Sequence, residues 1–413
     1  MRTAYKCRAY PDSDQAAMLR RTFGCIRVVW NRTLAARQAR SATESKATSH
    51  RETDAALTAM KRDPDLAFLS EVSSVPLQQT LRHQHKAFQA FFAGRVRHPR
   101  FKSRHGRQSA TYTRSAFRMR DDALWLAKTT RPLRYVWSWP DVDVAAIDPT
   151  TVTVSRDPAG RWFVTFQVDV PTPTPLPEIG EAVGVDLGLT DFAVLSTGER
   201  IAHPHDMARH ERRLKRYQRM LARKQNGSAN RRKASRKVAR KHARVADARR
   251  DFLHKTSTAL VRRFDIIAVE NLAVSNLVRA GGARKRGLNR SIGQTGWAIF
   301  RAMLVYKAQR TGRQLVVAPR WYPSTKTCSA CGHMLAALSL GIRVWVCPAC
   351  GARHDRDLNA AKNILAAGLA VGACGDGVRR QGSSFPQSSV KQEALAARPR
   401  IPTRQGGEEV KCS

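Results

Sequence analysis

Two pairs of cysteines, each spaced Cys-x-x-Cys, constrain the fold of this chain more than any other feature. Fifteen residues separate the first pair from the second, and the four cysteines are Cys328, Cys331, Cys347 and Cys350. Zinc takes four thiolates in a tetrahedron, and a Cys-x-x-Cys turn directs two of them at one ion. Because four protein ligands leave no open position, we expect one structural Zn²⁺. The alternatives are reduced cysteines without a metal, or a redox-active pair.

The chain is strongly basic, with 73 Lys and Arg residues against 32 Asp and Glu residues and a formal net charge of +41. Self-repulsion at this charge opposes a compact fold unless a polyanion neutralises it. Arginine predominates in the basic runs, and its guanidinium suits bidentate phosphate contacts. A solvated surface is the alternative, but an excess of this size predicts nucleic acid as the partner.

Membrane association is not expected from the sequence. No stretch approaches the ~20 apolar residues of a membrane span, and the N-terminus runs into polar sequence without the apolar core of a signal peptide. We therefore expect a cytoplasmic protein. Disulfides are rare in that compartment, which agrees with metal binding by four of the eight cysteines.

The first hundred residues combine a strand with helices. Residues 1–10 are predicted to form a short strand, and Asp12 with Gln15 matches a capping box at the start of a helix. Apolar residues at helical spacing continue that helix, and a second amphipathic helix is expected from about Pro76 to Gly94. The apolar stripes predict the core of a helical subdomain.

From about residue 99 to 170 the pattern changes to β. Apolar residues alternate with polar ones on both sides of residues 157–160, which predicts a hairpin with a turn rich in Pro and Gly. The segment just before this hairpin mixes aromatic and cationic side chains. It is either an ordinary loop or a surface that stacks bases and grips phosphates; the candidate residues are Phe101, Lys102, Arg104 and Tyr112.

A proline-rich connector at 171–177 predicts a domain boundary. Two apolar strands are expected beyond it, at 182–185 and 192–195, followed by a long basic helical region. Residues 209–250 hold 18 Lys and Arg against two acids, and residues 225–228 are expected to divide this region into two antiparallel helices. So dense a charge favours a phosphate-tracking surface over a solvated face. Its candidate contacts are Arg212, Arg213, Lys215, Arg216, Arg231, Arg232, Lys233, Arg236 and Lys237.

Four acidic residues lie at the ends of predicted elements. Asp186 follows an apolar strand, Glu270 ends the strand at 264–269, and Asp355 and Asp357 open a helix. Carboxylates that converge on one point are the ligands of hard cations such as Mg²⁺, and two such ions can cleave a phosphodiester. Each acid alone has a simpler explanation, as a solvated strand end or a helix cap. Together, in order on strand, strand and helix, they predict a nuclease centre.

The motifs around these residues resemble the TnpB family of RNA-guided endonucleases, which bacterial insertion sequences encode and which are similar to type V CRISPR effectors. The resemblance covers roughly residues 1–368. It rests on the order of an Asp-x-Gly motif, a Glu-Asn-Leu motif, the cysteine pairs and a final Asp-Arg-Asp-x-Asn-Ala-Ala-x-Asn-Ile motif, which begin at Asp186, Glu270, Cys328 and Asp355.

The resemblance implies an α/β multidomain fold with an RNase H-like (RuvC) nuclease domain. That domain is expected at 179–368, with the zinc ribbon inserted at about 322–353. A β-barrel wedge domain of residues 1–10 and 99–178 is expected before it, interrupted by a helical recognition domain at 11–98. Residues 369–413, rich in Gly, Ser, Gln and Arg, are expected to be a disordered tail.

The resemblance also implies the activity. It assigns the catalytic acids, which are the Mg²⁺ ligands, to Asp186, Glu270 and Asp357, and it predicts an endonuclease that cuts double-stranded DNA beside a short flanking motif under the direction of a guide RNA. Such a protein would act in the bacterial cytoplasm and associate with the nucleoid. Two alternatives are a nuclease-silent RNA-guided regulator or transposition accessory protein, and a strand-exchanging transposase. The sequence sets no oligomeric state.

Overall fold

The computed structural model divides the described part of the chain into two compact units, residues 1–170 and residues 171–375. For residues 205–208 and 371–375 only the backbone is described. The described residues are 1–120, 122–171, 173–278, 282, 285–339 and 341–375.

The first unit combines an antiparallel sheet with three α-helices. The sheet has five strands in the order β2-β6-β7-β1-β5, and β3 and β4 form a separate pair. The elements are β1 (Arg2–Tyr10), α1 (Ser13–Glu44), α2 (His50–Arg62), α3 (Ser74–Phe92), β2 (Gln108–Thr113), β3 (Phe117–Arg120), β4 (Ala123–Leu126), β5 (Arg134–Val136), β6 (Pro149–Arg156) and β7 (Trp162–Asp169).

Local sequence signals account for these elements. The α1 helix begins at the expected capping box, in which the Gln15 backbone N–H donates to the Asp12 carboxylate at 2.8 Å. The hairpin of β6 and β7 forms around Gly160, whose φ of +84° suits a residue without a side chain. The predicted strand at the N-terminus, both helices and the hairpin are thus confirmed. Closure of this sheet into a wedge barrel stays a prediction, as do the domain boundaries.

The second unit is built on a mixed five-stranded sheet in the order β10-β9-β8-β11-β12. Strand β8 is antiparallel to β9 and parallel to β11, which is parallel to β12. The elements are β8 (Ala182–Leu187), β9 (Asp191–Leu195), β10 (Arg200–Ala202), α4 (His205–Ala222), α5 (Ala229–Arg263), β11 (Ile266–Val269), α6 (Val274–Leu277), α7 (Lys285–Thr295), α8 (Trp297–Thr311), β12 (Gln314–Val317), β13 (Val344–Val346), β14 (Arg353–Asp355) and α9 (Arg356–Gly375).

Helix α9 lies directly against this sheet because two glycines leave room for it. A Cβ on Gly184 of β8 would lie 2.0 Å from the backbone oxygen of Ala361. A Cβ on Gly368 of α9 would lie 2.6 Å from the Cβ of Ala268 on β11. The close approach fixes where the first turn of α9 stands relative to the strand ends.

Helices α4 and α5 form the expected antiparallel hairpin. The break falls at the predicted residues, since α4 ends at Ala222 and Ser228 caps α5 through its hydroxyl. The guanidinium of Arg231 donates to the carbonyl oxygens of Leu221 and Lys224 at 3.1 and 2.8 Å, so it satisfies the C-terminal end of α4.

Membrane association was not expected from the sequence. No helix among the described residues is long and apolar enough to cross a membrane.

Helix α9 continues to Gly375, so the expectation of disorder is wrong for residues 369–375; residues 376–413 lie outside the described residues. The expectation rested on the Gly, Ser, Gln and Arg composition after residue 368, whereas Gly368 packs within the helix against Ala268 and the helix continues past it.

Candidate active site and zinc site

Asp186 and Glu270 meet at one edge of the sheet in the second unit. Parallel strands β8 and β11 pair Val185 with Val269, so the two acids that follow these residues are neighbours. The backbone N–H of Leu187 donates to the Glu270 carboxylate at 3.2 Å, which fixes Glu270 beside the end of β8. The strand register therefore brings together two residues that are 84 positions apart in sequence.

Both acids hold their protons more tightly than usual. Burial, together with the charges of Glu270 and Asp357, raises the pKa of Asp186 to about 8. Burial likewise raises the pKa of Glu270 to about 7, although the hydrogen bond from the N–H of Leu187 has the opposite effect. Mutual repulsion among partly buried carboxylates is what a bound divalent cation relieves. The donor set thus fits Mg²⁺.

The first turn of α9 separates the roles of Asp355 and Asp357. The Asp355 carboxylate accepts the backbone N–H groups of Asp357 and Leu358 at 3.1 and 3.0 Å, which is the geometry of a helix cap. Its other oxygen accepts from Arg200 at 2.8 Å. Asp357, in contrast, contributes its charge to the environment of Asp186.

Two arginines from other elements flank Asp357. Arg343, just before β13, donates to both Asp357 oxygens at 3.2 and 3.4 Å. Arg200 of β10 lies 4.0 Å from Asp357 and also binds Asp191 at 2.8 Å. Arg200 therefore links the second strand of the sheet to the start of α9.

The four predicted zinc ligands form one cluster. Their sulfur atoms all lie within 4.8 Å of one another, and both Cys328–Cys350 and Cys331–Cys347 have Sγ–Sγ distances of 3.7 Å. Thiolates at 2.3 Å from a tetrahedral zinc are about 3.8 Å apart, whereas a disulfide requires about 2.05 Å. The cysteines are free thiols, and their spacing fits one Zn²⁺.

Three side chains connect the first cysteine pair to the helix that carries Asp357. Asn359 accepts the N–H of Ser329 at 2.9 Å, and Asn363, one turn further on, donates to the carbonyl oxygen of Thr327 at 2.6 Å. The imidazole of His354 lies 3.0 Å from the Cys328 sulfur. All three are at least nine-tenths buried. The loop at residues 324–331, called the zinc loop below, therefore packs directly against the start of α9.

The predicted nucleic-acid contacts differ in their accessibility. On the α4–α5 hairpin every predicted residue is exposed except Arg231, whose guanidinium holds the helix ends. In the first unit, Phe101 and Arg104 are exposed. Lys102 is partly buried, with its ammonium 4.5 Å from the ring centre of Trp30. These contacts stay predictions.

The prediction for Tyr112 is wrong. Its ring is 2 % exposed and belongs to the core of the first unit, so no base can stack on it. Strand β2 alternates, and Ala110 and Tyr112 share its buried face. The aromatic and cationic composition of the segment did not reveal which face each residue occupies.

The sequence analysis did not identify Arg200, Arg343, His354, Asn359 or Asn363 as parts of the site. A partial signal existed for the asparagines, because two amides four residues apart share one face of a helix. Neither arginine has a local signal, since each reaches Asp357 only through tertiary packing.

Comparison with known proteins agrees with this geometry. Three family models match the chain: "Helix-turn-helix domain" at residues 1–46, "Probable transposase" at 165–281 and "Cas12f1-like, TNB domain" at 297–364. A protein of Streptomyces pristinaespiralis named "Putative RNA-guided DNA endonuclease" is 52% identical over 405 residues, which cover 97% of this chain and 98% of that protein. The chain belongs to the TnpB family.

A further relative and a solved structure extend the comparison. The Escherichia coli K12 protein named "Putative RNA-guided DNA endonuclease InsQ" is 32% identical over 91% of this chain and 94% of its own length. A cryo-EM structure of a Cas12f1–sgRNA–target DNA complex shares the fold, with a TM-score of 0.51 and 14% identity over 85% of this chain and 82% of that one. The α/β fold is confirmed, and the assignment of a RuvC-like nuclease domain stays a prediction. The segment matched as helix-turn-helix consists of strand β1 and the single helix α1.

Proposed function

We propose that this TnpB-family protein is an RNA-guided DNA endonuclease that hydrolyses phosphodiester bonds with Mg²⁺ held by Asp186, Glu270 and Asp357. The observation that carries the proposal is the convergence of the three carboxylates, in which the charges of Glu270 and Asp357 both act on Asp186. The names of the relatives that are 52% and 32% identical support the same substrate class.

Two Mg²⁺ ions at this edge of the sheet would activate the attacking water and stabilise the leaving oxygen. The protein's own residues hold the ligands in place. The N–H of Leu187 orients Glu270, and the Asp355 cap with Arg200 orients the first turn of α9 and thereby Asp357. Zn²⁺ bound by the four cysteines would keep the loop that contacts α9 folded.

Guide RNA and double-stranded DNA are the proposed partners. Base pairing with the guide would read the target, while protein contacts would read a short flanking motif and the shape of the duplex. The exposed cations of the α4–α5 hairpin support a role in holding the heteroduplex backbone. The proposal keeps the wedge, recognition and nuclease domains with the boundaries expected from the sequence. It also places the protein in the bacterial cytoplasm, where it would act on nucleoid DNA.

The test uses the protein purified at moderate salt with whatever RNA it retains. We expect one dominant RNA species, and cutting of a plasmid in Mg²⁺ but not in EDTA. Replacing the terminal guide segment of that RNA should redirect cutting to the matching DNA without any change to the protein, and Asp357→Ala should bind the same target without cutting it. Random cellular RNA, with cutting that ignores its sequence, would refute guidance. Guided binding without cutting by the wild-type protein would identify a nuclease-silent regulator.

A further inference from the structure

Trp321 is the most exposed of the large hydrophobic side chains in the described part of the chain, at 86 %. Covering so large an apolar ring would contribute favourably to the binding of a partner. The neighbouring residue is a cation, and the Arg320 guanidinium lies 5.2 Å from the centre of the indole ring. An open aromatic face beside a positive charge is the arrangement that receives an unpaired nucleotide.

The position of Trp321 relates it to the candidate active site. Strand β12 pairs Val317 with Val269 of β11, and the N–H of Ala318 donates to the Val269 carbonyl at 2.8 Å. Ala318 is therefore next to Glu270 at the same edge of the sheet. Trp321 follows three residues later, which limits its backbone to about 11 Å from Ala318.

The loop that carries Trp321 is held at both ends. A turn is closed by the N–H of Tyr322, which donates to the Pro319 carbonyl at 3.1 Å. Beyond it, the Ser324 carbonyl accepts from the buried Asn363 of α9 at 2.8 Å. The indole thus projects from a segment whose backbone is anchored on both sides.

We propose that Trp321, with Arg320, stacks on an unpaired base of the DNA strand that enters the active site, close to the scissile phosphate. In duplex DNA neighbouring base pairs cover the faces of each base, so only a displaced or opened strand offers a free face to the ring. The guanidinium of Arg320 would meet the adjacent phosphate. This inference rests on the proposed endonuclease function and adds a contact that orients the substrate.

The experiment measures single-turnover cutting by the assembled ribonucleoprotein of a target with intact bases, and of targets that each lack one base near the cut. Trp321→Ala is expected to slow cutting of the intact target at least about fivefold, since it removes one stacking contact. Trp321→Phe should recover most of the rate. Tyr306→Ala, which removes another exposed ring of the same unit, should cut at the wild-type rate.

One abasic position should slow the wild-type enzyme as much as Trp321→Ala does, and the two changes together should cost no more than either alone. Equal rates for Trp321→Ala and wild type on the intact target would overturn the inference, as would multiplicative effects at every abasic position. A lower RNA content in Trp321→Ala, with unchanged cutting per assembled complex, would assign the ring to RNA and also overturn it.

Failure of the wild-type complex to cut any target would count against the endonuclease proposal instead. The stacking contact can then be measured separately, as binding of a fluorescent single-stranded DNA oligonucleotide in EDTA. Weaker binding by Trp321→Ala than by Tyr306→Ala would support the contact, and equal binding by the two variants would overturn it.

Discussion

The carboxylate of Asp355 accepts the backbone N–H of Asp357 at 3.1 Å, so one aspartate fixes the helix turn from which the other reaches the active site. The two residues are two positions apart in the same motif, and composition does not distinguish them. In the structure Asp355 caps the helix and binds Arg200, whereas the charge of Asp357 raises the pKa of Asp186.

Substituting these two aspartates should therefore have different effects. Asp357→Ala is expected to abolish cutting while target binding persists, because it removes a proposed metal ligand and leaves the basic surface intact. Asp355→Ala should retain part of the rate and lower the free energy of unfolding by about 1 kcal/mol, the usual cost of removing a cap. Single-turnover cutting and thermal denaturation measure both. An inactive Asp355→Ala beside a fully active Asp357→Ala would reverse the assignment.

Asp186→Asn should be inactive but more stable than wild type in EDTA. The raised pKa values of Asp186 and Glu270, about 8 and 7, mean that the folded chain keeps protons which the unfolded chain loses near pH 4. Stability contributed by these protons is present at low pH and is lost as the pH rises towards 8. The melting temperature of the wild-type protein in EDTA should thus fall as the pH rises from about 5 to 8. The fall should be less steep for Asp186→Asn, and Asp191→Asn is the control. Identical slopes for Asp186→Asn and wild type would contradict this account.

Asn363→Ala tests the connection between the zinc loop and α9. The variant should keep about one zinc per chain, because all four cysteines remain. It should need a higher Mg²⁺ concentration for half-maximal cutting, because the Ser324 and Thr327 carbonyls lose a buried donor and the start of α9 is held less firmly. Elemental analysis and direct Mn²⁺ titration separate the two effects. Cys347→Ser should instead lose zinc and unfold more readily. Unchanged Mn²⁺ affinity in a zinc-loaded Asn363→Ala protein would show that the contact is only structural.

Gly184→Ala should destabilise the second unit by about 1–3 kcal/mol or more, since the new Cβ would meet a backbone oxygen that cannot move aside. Displacement of α9 at Ala361 would also move Asp357, one helical turn earlier, so cutting should fall. Gly24→Ala in α1 is a control because no atom outside its chain neighbours and its own helix backbone lies within 4 Å of the position of its Cβ. Equal melting temperatures for the two variants would show that α9 does not approach β8 so closely.

The cationic residues of the α4–α5 hairpin should fall into two groups, one that binds phosphates and one that stabilises the hairpin. Arg236→Gln combined with Lys237→Gln should weaken binding to RNA and reduce the salt slope by about 0.7–0.9 for each phosphate that the protein no longer neutralises. Arg231→Gln should mainly lower hairpin stability, because its guanidinium caps α4. Binding isotherms at several salt concentrations, with thermal melts, measure both effects. A salt slope unchanged by the double substitution would remove these residues from the phosphate-binding surface.

Patterns close together in the chain were sufficient for much of this protein. The cysteine cluster follows from two short spacings, and the α1 cap, the β6–β7 hairpin and the break between α4 and α5 follow from interactions among near neighbours. The acids Asp186 and Glu270 were identified because each ends an apolar strand. All these features depend on backbone geometry within a few residues, which composition and periodicity encode directly.

Tertiary structure decided what periodicity cannot encode. Three features each depend on an element distant in sequence. They are the burial of Tyr112, the length of α9 beyond Gly368, and the ion pairs of Arg200 and Arg343 with Asp357. The division of roles between Asp355 and Asp357 was open for the same reason. In the sequence both are acids at a helix start, and only the hydrogen bonds of Asp355 and the packing of α9 against β8 show which carboxylate acts electrostatically on Asp186.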